Sequence, residues 1–175
     1  MSRRTPILAC LLTVITATAF LPAPALASRA TDNVPLDAGV LVQLNQIRIA
    51  HGLTPLVASK SLGEAADRHS SDMIVKGYFS HDSSTGAPFY QRIRSYYPPS
   101  SNGSWSVGEN LFWSSGTVDA RGALAAWMAS PEHRANILNP SCREIGIGAV
   151  SSNRAPGAYA DLAVTVITTD FGTRG

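Results

Sequence analysis

An apolar run from Ile7 to Leu21, preceded by Arg3 and Arg4 and followed by Ala25-Leu26-Ala27, constrains this chain more than any other feature. A basic start, an apolar middle and a small-x-small end are what signal peptidase reads. Pro22 and Pro24 close the run short of the roughly 20 apolar residues a spanning helix needs, so no transmembrane anchor is expected after cleavage. Residues 1–27 therefore read as a secretory signal peptide cut after Ala27, residues 28–36 as a flexible polar leader, and residues 37–175 as one secreted domain. Paired arginines also open twin-arginine signals, but they are ordinary for general secretion too.

Export to an oxidising compartment would suit disulfides, yet the chain has only two cysteines. Cys10 lies ahead of most of the apolar run, which argues against a lipid-modified cysteine, and its removal leaves Cys142 without a partner. The domain is expected to be a monomer held by packing, with or without a metal, and insensitive to reductant. Cys142, between Asn139-Pro140-Ser141 and Ile145, reads as a small buried hydrophobe rather than a reactive thiol. Lys+Arg count 14 against 12 Asp+Glu, and losing Arg3 and Arg4 makes the counts equal. A near-neutral domain has no bulk charge with which to bind nucleic acid or an anionic membrane.

Local patterns give the elements. Asp37 can cap a helix to Ala50 with Val40, Leu41, Leu44 and Ile47 on one face. A second helix, Ser59 to Lys76, stacks Leu62, Ala65, Ala66, His69 and Met73 and stops at Gly77. On that stripe His69 reads as a core histidine, and His51, beside Gly52 at a helix end, as a partner of the helix dipole. Phe89 to Tyr96 is a short third helix ended by Pro98-Pro99. Ser100 to Trp105 is a polar loop in which Asn102-Gly103-Ser104 is an incidental glycosylation sequon. Asp119 caps a fourth helix that carries Trp127 toward the core. Ser130-Pro131-Glu132-His133 opens a fifth as N-cap to N3, with Ser130 and Glu132 serving the helix terminus. Ile145 to Val150 and Tyr159 to Thr169 read as strands. Helices before and around strands imply a layered α/β (α+β) fold.

Three stretches carry imidazole and carboxylate groups at segment ends, where binding sites are usually built: Phe79-Ser80-His81, Gly108-Glu109-Asn110-Leu111, and Trp127 through Leu138. Leu44-Asn45-Gln46-Ile47-Arg48 and His51-Gly52-Leu53 precede them; Glu144-Ile145-Gly146-Ile147-Gly148 and Asp170-Phe171-Gly172 follow. In this order the motifs resemble the CAP superfamily, the secreted domain shared by cysteine-rich secretory, antigen 5 and pathogenesis-related 1 proteins, in its bacterial SCP-domain form. The resemblance implies a three-layer α-β-α sandwich with a central cleft lined by two His and two Glu. His81, Glu109 and His133 match the first His, the Glu of the Gly-Glu-Asn motif and the second His. The second Glu falls three residues after the tryptophan in such relatives, and here that place is Ser130. Glu132 is near in sequence but leaves the helix in another direction.

The site expected is thus a triad of His81, His133 and Glu109, a reasonable donor set for a divalent cation such as zinc. At the start of a helix His133 is expected to stay neutral, and Asn110 to bond backbone as a turn residue. Three functions stay open. The first is an extracellular binding module for a lipid, a sterol-like molecule or a cell-envelope component, ligands that the resemblance suggests. The second is a metal-dependent hydrolase with Glu109 as base toward a water at the metal. The third is a structural or adhesive surface protein whose His/Glu cluster satisfies buried polar groups. Other motifs lack context: Gly146-Ile147-Gly148 has no strand-loop-helix setting for a dinucleotide, and Asp170-Phe171-Gly172 is read as a strand end.

Overall fold

Asn33 starts the first helix: its side-chain oxygen accepts the Leu36 amide at 3.3 Å, and Pro35 suits the first turn. A computed structural model of the chain describes residues 30–101 and 103–175. The apolar run, its cleavage pattern, residues 28 and 29 and Asn102 lie outside the described residues. Helix α1 spans Val34–Ala50. Asp37, expected as cap and domain start, sits inside it and accepts the Ala149 amide at 2.7 Å, which ties helix to sheet. Thr31–Asp32 form strand β1, because Asn33 already commits its amide to the Ala149 carbonyl at 2.7 Å.

Strand β2 is Val57–Ala58, and helix α2 runs Lys60–Lys76. It stops at Gly77, whose φ of 70° suits glycine. Helix α3 is Phe89–Tyr96 and strand β3 is Trp105–Ser115. Helix α4, Ala120–Ala129, is capped by Asp119 on the Gly122 amide at 2.8 Å, and α5 is Pro131–Ile137. Strands β4, Glu144–Ala155, and β5, Leu162–Arg174, complete the order. The sheet runs β1-β4-β5-β3, with β2 paired to β4 as well. The long pairs β3/β5 and β4/β5 are antiparallel.

Alternation along β4 and β5 divides the molecule into three layers. Ile145, Ala149, Ile167 and Phe171 face α1, α4 and α5, where they pack with Val40, Leu44, Leu124, Trp127 and Ile137. On the other face, Val150, Val164 and Val166 meet Met73 and Ile74 of α2. Gly146 and Gly148 lie beneath α2: a Cβ on either would stand 2.0 Å and 2.3 Å from helix backbone. These glycines let the helix rest on the sheet, which is their structural use.

No disulfide is present among the described residues, and one buried guanidinium joins distant segments. Arg48, 0% exposed, donates to the carbonyls of Thr54 at 2.9 Å, Ile137 at 2.7 Å and Asn139 at 3.0 Å. Among the described residues no helix is long and apolar enough to cross a membrane.

Candidate functional site

Glu109 lies in the middle of β3, an edge strand, and not at a segment end as expected. The register sets it opposite Asp170, so both carboxyl groups share the face covered by α2 and α3. The loop after α2 delivers His81, whose ring Nδ1 lies 2.7 Å from Glu109 Oε1. Helix α3 delivers Arg92, which donates to Glu109 Oε2, to the His81 carbonyl at 3.0 Å and to Ser83 Oγ at 3.4 Å. A carboxylate only 4% exposed is thereby paired on both oxygens, which is what keeps a buried charge affordable.

Asn110, the next residue, necessarily points to the opposite face. There its Nδ2 donates to the His133 carbonyl at 3.0 Å, and its Oδ1 accepts Asn136 Nδ2 at 2.8 Å. Asn136 also donates to the Glu109 carbonyl at 3.1 Å. A Cβ at Gly108 would come 2.9 Å from Asn136 Oδ1, so a side chain there would press on the Asn136 amide that bonds Glu109 and Asn110. Gly108-Glu109-Asn110 therefore holds one histidine-bearing segment on each face of the sheet. His81 and His133 meet over the β3 edge, where both line two cavities of about 450 and 340 Å³. Phe79 and Leu111 complete the first; Phe89 and Val107 complete the second.

Because a carboxylate can only accept, Nδ1 of His81 carries the proton and Nε2 is left without a protein partner among the described residues. The bond to Glu109 raises the His81 pKa, against the opposing effect of burial. His133 is shifted the other way, first by burial and then by the charge of His81, so its ring favours the neutral form. The neutrality expected of His133 thus has burial as its main cause. Burial, followed by the Glu109 charge, pushes the Asp170 carboxyl well above the usual range.

Other expectations are corrected in detail. Ser130 is the N-cap of α5 by position, but its hydroxyl makes no capping bond. Asn110 bonds backbone as expected, though from a strand and not from a turn. Glu132 is exposed and lines both cavities. His69 is buried, with Nε2 on the Ser80 carbonyl at 2.9 Å, and burial drives its pKa down to about 4. His51 Nδ1 meets the Ile47 carbonyl at 2.8 Å. Among the described residues, no three His, Cys, Asp or Glu side chains stand grouped to hold a metal as they are. His81, Glu109 and His133 come together as a His–Glu pair facing a second His. Arg92 and Asp170 were missed from sequence. For Asp170 a signal exists, a carboxyl interrupting the Val164, Val166, Thr168 face of β5.

A family model for CAP, the cysteine-rich secretory protein family, matches residues 41–167. The chain belongs to this family. It is 38% identical over 109 residues to the uncharacterized protein YkwD of Bacillus subtilis (strain 168), an alignment covering 62% of this chain and 40% of YkwD. Among solved structures it resembles an extracellular protein containing a SCP domain from Bacillus anthracis, with 27% identity, a TM-score of 0.62, and coverage of 81% of this chain and 41% of that one. An outer surface protein from Borrelia burgdorferi shares the fold at 18% identity and a TM-score of 0.65, covering 85% of this chain and 99% of that one. The chain thus spans well under two thirds of YkwD and of the Bacillus anthracis protein.

Proposed function

We propose that the protein is a secreted binding module whose His81/His133 cleft holds a divalent cation, with zinc the best chemical fit, beside an apolar or cell-envelope ligand. The observation that carries this reading is the His81–Glu109 pair. A buried carboxylate fixes the Nδ1 proton and ring orientation, which directs the Nε2 lone pair outward as in carboxylate–histidine–metal arrangements. His81 Nε2 and His133 would be the nitrogen ligands, and Glu109 the residue that orients the first of them. Bound zinc would supply Lewis acidity and leave positions open to ligand. Phe79, 38% exposed, and Phe89 flank the histidines with apolar surface suited to a lipid or sterol-like group. Secretion is supported by the N-terminal export pattern and by the extracellular character of the Bacillus anthracis relative.

The hydrolase reading needs Glu109 free to take a proton, whereas both its oxygens are engaged by His81 and Arg92. That favours the binding reading. Calorimetric zinc titration of the purified protein tests it. Saturable uptake at neutral pH should vanish in His81→Ala and His133→Ala and weaken by about 10–100-fold in Glu109→Gln. Glu132→Gln should change little. Absence of uptake, or uptake indifferent to both histidines, would return the cluster to a structural role. Turnover of ester or peptide substrates that disappears in Glu109→Gln would make the protein an enzyme.

A further inference from the structure

Arg92 also lines a separate cavity of about 350 Å³ between α2 and the loop leading to α3, to which neither His81 nor His133 contributes. Arg68, Asp72 and Lys76 reach it from one face of α2, as their spacing allows. Ser83, Ser84 and Thr85 close it from the loop. Arg68, Lys76 and Arg92 set three positive charges there against the single carboxylate of Asp72. Asp72 is already compensated, by Lys76 at 2.7 Å and the Tyr78 hydroxyl at 2.8 Å. Arg92 is compensated by Glu109. Arg68 is exposed and has no hydrogen-bond or ion-pair partner among the described residues. In the same wall Arg92 has a buried Nε–H with no acceptor among the described residues. A polar cavity with an uncompensated guanidinium, loop hydroxyls and a buried N–H that lacks an acceptor suits an anion with several acceptor oxygens.

We propose that this cavity binds a phosphate group, with the Arg68 fork taking two oxygens and the Arg92 Nε–H and the loop hydroxyls donating to the rest. The planar fork matches phosphate in a way that a lysine in its place does not. Three sources share this chemistry: free phosphate, a soluble phosphate ester and a phospholipid headgroup.

The test uses zinc-free protein, so its outcome is separate from that of the histidine cleft. Amide resonances are followed while inorganic phosphate or glycerol 3-phosphate is added, and co-sedimentation is measured with phosphatidylglycerol vesicles. Saturable shifts confined to residues 68–76 and 83–92 are expected with at least one soluble probe. Binding should weaken at least tenfold in Arg68→Ala, partly recover in Arg68→Lys and persist in His81→Ala. Tighter binding of the ester than of inorganic phosphate would identify a soluble ester, and Arg68-dependent sedimentation a headgroup. No saturable response to any probe, or equal binding by Arg68→Ala with an unchanged circular dichroism spectrum, would overturn the proposal.

Discussion

Asp37 sits inside α1 with its carboxyl on the Ala149 amide, and burial raises its pKa from 3.8 to about 7, with Asp67 and Asp32 adding to the shift. The folded state therefore binds this proton more tightly than the unfolded chain. Its contribution to stability is complete below about pH 4 and is lost as pH rises through about 7. Asp67, raised to about 6 chiefly by burial, acts in the same direction. Asp37→Asn keeps an oxygen for the amide and removes the charge. Thermal melts from pH 4 to 8 should show the wild type losing stability relative to Asp37→Asn, with the gap widest above pH 7. Parallel curves would show that the carboxyl is not protonated on folding. The contact behind this prediction spans 112 residues, so no local pattern announces it and the sequence reads Asp37 as a cap. The histidines were legible because their motif neighbours mark them. Arg92 was not, since an arginine on a short polar helix ordinarily faces water.

Strand β3 escaped the sequence reading for a reason that bears on the site. Trp105, Val107, Leu111 and Trp113 alternate as a strand should, but Glu109 interrupts the apolar face. Asp170 interrupts β5 in the same way, and the register brings the two interruptions side by side. The polar pair that hides the strand pattern is thus the pair beneath the cleft. Two-residue strands such as β1 and β2 carry no period to detect. The β4 glycines support a prediction at this scale. Gly146→Ala and Gly148→Ala would each drive a methyl into α2 backbone. Each should destabilise the domain by about 1–3 kcal/mol or more in urea unfolding. Little change in midpoint would mean that α2 does not lie on the sheet at this distance.

Two apolar layers are coupled through one sheet, and a buried Arg48 ties distant segments together. Cys142, buried, is the free cysteine among the described residues, and burial raises its thiol pKa. Thermal melts with and without reductant should superimpose, and a reductant-dependent loss of stability would reveal a disulfide between chains. The layered class follows from helix periods and a β-branched strand, whereas the cleft depends on an edge strand receiving one histidine from each layer, which only the assembled fold defines. The most direct test of the cleft is histidine side-chain nitrogen NMR of the purified protein, before and during zinc addition. The account predicts that His81 starts with its proton on Nδ1, that zinc shifts His81 Nε2 and a ring nitrogen of His133, and that His51 and His69 do not respond. An Nε2-protonated His81, or zinc shifts at His51 while His81 and His133 stay unchanged, would contradict it.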